Sequence, residues 1–267
     1  MTMPLRLIVH GASGRMGREV VRAASSSPDV DVVAALARSG SDTIGADAGI
    51  LAGISALGVP VSADVDAALR LGEVAVDVSI PGAAVHFAKA AAALGKPIVV
   101  ATTGFSGEQR TELERCSESA PVLVAPNLSL GINLLVQILP TIVRALGSDY
   151  DIEVVEAHHR QKKDAPSGTA VRLAEVIAEA LERPLAEIER HGRHGLAPRA
   201  PGEMGIHAIR AGGIVGEHHV LFVSEGEQVE VTHRAFSRQT FALGALRAAQ
   251  FIASQPPGLY SMQDVLG

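Results

Sequence analysis

The chain has 267 residues, 47% hydrophobic and 19% charged, which suits one large or two modest globular domains and excludes a disordered protein. Its formal net charge of −6 argues against the basic face that nucleic-acid binding needs. Cys116 is the only cysteine, which excludes an internal disulfide and a cysteine-built metal centre.

The opening Met1-Thr-Met-Pro-Leu-Arg leads into a strand with no charged-then-apolar leader. The most apolar helical run, Leu134–Leu146, contains Arg144 near its end and is too short to span a bilayer. These features predict a cytoplasmic protein with no membrane partner.

Leu5–His10 is a short apolar run that stops at a glycine cluster, the pattern of a buried strand. A helix is predicted over Arg15–Ala24, a strand over Asp31–Leu36, a helix over Ala63–Leu71 and a strand over Val74–Ser79. Helix Ala83–Leu94, strand Pro97–Ala101, helix Gly107–Ser117 and strand Val122–Ala125 continue the alternation. Such alternation predicts a parallel sheet covered on both faces.

Beyond Asn127 the pattern changes. Helix Leu130–Leu146 leads to strand Asp151–Ala157, a polar loop and a helix over Thr169–Leu181. The stretch from Pro184 to Gly205 reads as loop. Strands follow at Ile206–Ala211, Ile214–Val223 and Gln228–Ala235, with Gly212-Gly213 and Gly226 as hairpin signals. An amphipathic helix over Gln239–Ser254 could return to cover the first domain. The expected class is α/β: an N-terminal Rossmann dinucleotide-binding domain over 1–127, completed by the helix in 237–267, plus an α+β substrate domain over 128–236 with a mixed, antiparallel-rich open sheet.

The first strand runs into Gly11-Ala12-Ser13-Gly14-Arg15-Met16-Gly17. Gly14 and Gly17 sit where the second and third glycines of the dinucleotide fingerprint belong, and Ala12 takes the place of the first. Without a Cβ, Gly14 lets backbone approach a pyrophosphate, Gly17 lets the helix pack close, and the helix amides face the anion. An ordinary strand-to-helix turn is the alternative. About twenty positions on, where an acidic residue would bind the ribose of NAD, stand Ala37 and Arg38. No carboxylate repels a 2′-phosphate there and Arg38 could pair with one, which predicts NADPH in preference to NADH. The alternative is that Arg38 merely caps a solvated strand end.

Glu156-Ala-His-His-Arg-Gln-Lys-Lys-Asp-Ala-Pro-Ser-Gly-Thr-Ala170 is the most informative stretch. His158, His159, Arg160, Lys162 and Lys163 fall within six positions, in a chain with only four lysines. Ser167-Gly168-Thr169 follows as a helix start that would bind carboxylate or phosphate. Together they suit a substrate with more than one negative group, with an imidazole acid near neutral pH. Three alternatives stand beside this: a solvated charged face, phosphate binding without chemistry, and metal binding. Adjacent histidines on a strand point to opposite faces and lysines repel cations, so no metal is expected.

On these residues the chain resembles the 4-hydroxy-tetrahydrodipicolinate (dihydrodipicolinate) reductase family. Its signature E-x-H-H-x-x-K-x-D-A-P-S-G-T-A is matched throughout by Glu156–Ala170, and the likeness extends over Gly11–Gly17, Ala101–Phe105, Ala125–Asn133, Arg210–Glu217 and Thr232–Arg238. The resemblance implies His158 as proton donor and Lys162 as catalytic lysine. It implies His159, Ser167, Gly168 and Thr169 as holders of the substrate carboxylates. Ala101, Thr102, Thr103, Ala125, Pro126, Asn127 and Leu128 would line the nicotinamide side, and Arg38 would lie near the adenosine ribose. Also implied are hydride transfer from NADPH or NADH to a cyclic imine dicarboxylate in lysine and diaminopimelate biosynthesis, domain closure near 127–130 and 236–240, and a homotetramer built through the second domain. The chain departs from the family at Ala37, often glutamate, and at Ala101, often glycine. Another NAD(P)-dependent dehydrogenase and a non-enzymatic redox sensor are the competing readings; neither needs the His-His…Lys…Ser-Gly-Thr run.

Overall fold

The computed structural model describes residues 3–267. The chain forms two compact units: one runs to Leu130 and resumes over Arg238–Gly267, the other is Gly131–Ser237.

The first unit begins with β1 (Leu5–His10), α1 (Arg15–Ser25), β2 (Val30–Leu36), α2 (Ala48–Leu51), β3 (Val61–Ser62) and α3 (Val65–Leu71). It continues through β4 (Val74–Asp77), α4 (Pro81–Ala93), β5 (Ile98–Val100), α5 (Gly107–Ser117) and β6 (Pro121–Val124). The second unit holds α6 (Leu130–Leu146), whose first residue belongs to the first unit, then β7 (Asp151–His158), α7 (Gly168–Ala180), α8 (Leu185–Ile188), β8 (Glu189–His191), β9 (Met204–Arg210), β10 (Gly216–Val223) and β11 (Gln228–Ala235). The chain then returns to the first unit with α9 (Gln239–Ile252), β12 (Gly258–Tyr260) and α10 (Met262–Leu266).

Strand order in the first unit is β12-β6-β5-β4-β1-β2-β3, with every adjacent pair parallel. Alternate residues of each strand enter opposite cores, as the two-residue period requires. Leu7, Val9, Val74, Val76, Val99 and Leu123 face α1 and α9. Ile8, Ala75, Ile98, Val100 and Val122 face α3, α4 and α5, around a fully buried Phe87. From β1 the strands proceed one way to β2 and β3 and the other way to β4, β5 and β6. That reversal opens a crevice at the carboxyl ends of β1 and β4, where doubly wound sheets bind ligands.

The sheet of the second unit has the order β11-β10-β7-β9-β8 and is mixed: β7, β9 and β8 run parallel, while β10 and β11 alternate against them. One hairpin expectation is corrected. Gly226 does turn β10 into β11, with Val223 opposite Gln228. Gly212-Gly213 reverses the chain but makes no hairpin, because β7 lies between β9 and β10. The Gly212 turn instead passes over the end of β7, where the Arg160 amide donates to Gly212 O at 3.2 Å and the Ala211 amide to His158 O at 2.9 Å. Turn composition encodes a reversal of direction, not the strand that will be the neighbour.

Two further expectations change. The stretch from Pro184 to Gly205 contains α8 and β8, the latter pairing Glu189 with Met204. Helix α6 has its expected bounds, but the apolar run is not too short for a bilayer: with the following 3₁₀ turn it covers Leu130–Asp149, 20 residues, long and apolar enough by length and composition to cross a membrane. Leu135, Leu139 and Val143, spaced four apart, join the core formed with Ile152, Val154, Val220 and Phe222.

Candidate functional site

In the first unit the glycine turn is dictated by backbone crowding. Gly11 has φ +84, and a Cβ there would lie 2.9 Å from Val78 O. A Cβ on Gly17 would lie 2.2 Å from Gly11 O and 2.7 Å from the Ala12 Cα. At Gly14 the nearest contact would be 3.3 Å. The tight-turn duty assigned to position 12 therefore falls on Gly11, and the demand for close packing falls on Gly17. Ala12 is buried, with its amide donating to Leu36 O at 2.9 Å. Ser13 is half-buried, and Gly14 and Arg15 are exposed where α1 begins. Arg38 is exposed just past β2 and forms no ion pair among the described residues.

Met16, Ala101, Thr102, Thr103, Ala125, Pro126, Asn127 and Leu128 line a single cavity of about 330 Å³, joined by Val78, Ser79 and Phe241. Beneath it lies Asp77, fully buried at the end of β4. Its carboxylate accepts from Thr102 Oγ1 and from Ser79 Oγ, each at 2.6 Å, and lies 2.6 Å from His10 Nδ1. A carboxylate with three polar partners is tolerated in such a core. Asp77 thus ties the cavity wall to the carboxyl ends of β1 and β4. Sequence reading missed it, although a carboxylate ending the buried run Val-Ala-Val-Asp was a visible signal.

In the second unit the cationic cluster separates by burial. His158 ends β7 and is buried; His159 and Lys162 are half-buried; Arg160 and Lys163 are exposed. Lys162 pairs with Asp164 at 2.9 Å, which holds the Asp164 carboxyl below its ordinary range. His159 Nδ1 is buried with no hydrogen-bond partner among the described residues. Ser167 caps α7 by accepting from the Ala170 amide at 3.1 Å, and it is only 2% exposed. Its hydroxyl is also 3.2 Å from His218 Nε2, and its own amide donates to Glu156. Ser167 therefore builds the helix start, while Gly168 is exposed and Thr169 half-buried beside it.

Glu156, Arg210 and His218 were given no role from the sequence. Glu156 has none of its surface exposed. Its carboxylate lies 2.7 Å from His158 Nδ1, accepts from the Ser167 amide at 2.9 Å and receives both terminal nitrogens of Arg210 at 2.7 Å. Burial works to raise the Glu156 pKa, but Arg210, His158 and the Ser167 amide outweigh it and hold the carboxyl low. Burial pushes His158 down, and Glu156 only partly offsets it. His218, buried beside His158 with ring centroids 5.2 Å apart, is pushed down to about 3 by burial and then by its histidine neighbours. The readable signal lay in β7: Ile152, Val154, Glu156 and His158 share the inward period, so two ionisable groups occupy positions where apolar ones belong.

The profile described as dihydrodipicolinate reductase, N-terminus, matches residues 5–128, and the profile of the C-terminus matches 131–266. The 4-hydroxy-tetrahydrodipicolinate reductase of Rubrobacter xylanophilus is 48% identical, over 98% of each chain. That of Halorhodospira halophila is 47% identical, over 99% of this chain and 100% of its own. Among solved structures, the dipicolinate-bound dihydrodipicolinate reductase from Paenisporosarcina sp. TG-14 superposes with a TM-score of 0.76 at 24% identity, covering 97% of this chain and 98% of that one.

Proposed function

The chain belongs to the dihydrodipicolinate reductase family, and we propose how its residues divide that family's reaction, the NAD(P)H-dependent reduction of 4-hydroxy-tetrahydrodipicolinate to tetrahydrodipicolinate. It is an oxidoreductase of lysine and diaminopimelate biosynthesis. The observation that carries the assignment of roles is the pairing of an imidazole with a helix start: His158 and the Ser167 amide meet on one buried group.

The first unit takes the dinucleotide. Its residues fit one, because the Cβ-free crossing at Gly11 and Gly17 seats α1 against the turn and presents exposed Gly14 and Arg15 to a pyrophosphate. The nicotinamide half belongs in the cavity beside Ala101–Thr103 and Ala125–Leu128. When bound, the reduced nicotinamide supplies a hydride to the substrate ring. Gly131–Ser237 takes the substrate. Gly168 and Thr169, at the N-terminus of α7, receive one carboxylate; His159 and Lys162 attract the negative charge of the other. His158 in its protonated form delivers a proton to the charge that reduction builds. Gly216 leaves it room: a Cβ there would lie 3.1 Å from His158 Nε2.

We propose NADPH as the preferred cofactor, since Ala37 offers no carboxylate against a 2′-phosphate and Arg38 is exposed beside it. Cofactor absorbance, followed after adding cyclic imine freshly made from pyruvate and aspartate semialdehyde, tests both levels. The expected kcat/KM is about tenfold or more higher with NADPH, the scale of one charged hydrogen bond, and Arg38→Ala should bring the two cofactors together. Equal values in the unsubstituted protein would sink the preference. No oxidation of either cofactor would sink the division of roles.

The sheet face turned away from the α6–α7 core carries Val155, Leu221 and Ile209, the last 48% exposed. We propose that it joins copies of the chain into a homotetramer. Light scattering should give four times the monomer mass; a monomeric mass would remove the proposal. Cys116, buried and unpaired, fits a cytoplasmic setting.

A further inference from the structure

Glu156 has none of its surface exposed, and its three kinds of partner come from separate parts of the chain. His158 is two residues away, Ser167 eleven and Arg210 fifty-four. Sheet register creates the cluster: His158 lies opposite Arg210 on β9, and Glu156 opposite His218 on β10. Arg210 grips both carboxylate oxygens and also donates to the carbonyl oxygens of Ile209 and Asp164, at 2.7 and 2.6 Å. A two-pronged guanidinium clamp fixes the orientation of the carboxylate as well as its charge.

We propose that Glu156, clamped by Arg210, is a positioning residue for the reduction: one carboxylate fixes His158 by its Nδ1 side and the α7 helix start by its Ser167 amide, so that proton donor and carboxylate-binding turn are held at one spacing. This rests on the role given to His158 above. An ionised carboxylate 2.7 Å from Nδ1 accepts a hydrogen bond, so Nδ1 carries the hydrogen and Nε2 is left as the atom that gains and delivers the proton. The neutral ring then has no proton on Nε2, and donation requires the imidazolium.

The charged and titratable groups around His158 are Glu156 on its own strand, Arg210 from β9, His218 from β10 and Lys162 from the following loop. Asp164 lies behind Lys162 and Arg210, and His233 of β11 behind His218. Burial and the two cations disfavour the imidazolium, and Glu156 is the group that favours it. Glu156→Gln therefore removes its support, and Arg210→Gln removes an opponent.

The test compares kcat and kcat/KM across pH in the full-length enzyme. Glu156→Gln should lower kcat by roughly 10- to 100-fold and move the alkaline limb to lower pH by about one unit or more. Arg210→Gln should move the limb the opposite way. A merely structural part for the pair would lower activity or melting temperature with both limbs unmoved, and that result would overturn the proposal. Should Glu156→Gln fail to fold, ¹⁵N spectra of the unsubstituted protein decide instead: the neutral His158 ring must carry its hydrogen on Nδ1, and an Nε2–H tautomer overturns the proposal. His158→Gln separates the two levels. A large loss of kcat in that variant with unmoved limbs in Glu156→Gln sinks this inference alone; an unchanged kcat sinks the role of His158 itself.

Discussion

Replacement of His158 by glutamine is expected to lower kcat by roughly 10²- to 10⁴-fold, the range that a positioned general acid supplies, with a much smaller change in substrate KM. Glutamine keeps a hydrogen-bonding side chain of similar reach but carries no transferable proton. The pH profile gives the sign. In the proposed role His158 acts in its protonated form, so activity should be full below its pKa and lost as pH rises through it. Burial holds that pKa below the ordinary 6.5 in the free enzyme, so the limb in kcat/KM should fall below 6.5. A bound dianion favours the imidazolium, so the limb in kcat should lie at higher pH than the limb in kcat/KM. The His158→Gln variant should lose this limb altogether. An undiminished kcat, or a limb that survives the substitution, would take proton transfer away from His158.

Gly17→Ala should be the most severe steric substitution within the glycine turn at residues 11–17. The added Cβ would lie 2.2 Å from Gly11 O and 2.7 Å from the Ala12 Cα, and both are backbone atoms that no rotamer change can move. Helix α1 must therefore shift away from the turn, and a displacement near 1 Å can cost about 100-fold where groups are positioned for a ligand. The expected result is a KM for NADPH raised at least tenfold together with a lower melting temperature. Gly14→Ala is the control: its methyl would meet only Gly11 O at 3.3 Å, so the fold should survive with little change in melting temperature. Wild-type cofactor affinity and melting temperature in Gly17→Ala would refute the crowding account.

Much of this was legible before the fold was known, and the misses have physical causes. The apolar run Leu5–His10 could be read locally as a buried strand, and the parallel sheet followed from the alternation of strands with helices. The dense run from His158 to Lys163 stood out in the sequence by its charge alone, and burial sorts its members. His158 enters the sheet, Lys162 pairs with Asp164, and Arg160 and Lys163 stay in solvent. Ser167 looked like a ligand-binding hydroxyl, but its hydroxyl and amide are both engaged within the protein. Gly212-Gly213 looked like a hairpin because its backbone freedom is local information, whereas the presence of β7 between β9 and β10 is not.

The amino-acid order alone determined the alternation of elements, the glycine crossing at residues 11–17 and the cation-rich strand end, because each depends on neighbours within a few residues. Only the tertiary structure decided that Arg210 would clamp Glu156 and that His218 would lie beside His158. Those pairs are created by sheet register between strands that are far apart in the chain. Periodicity says which face a side chain occupies; strand order and register say which other side chain it meets there.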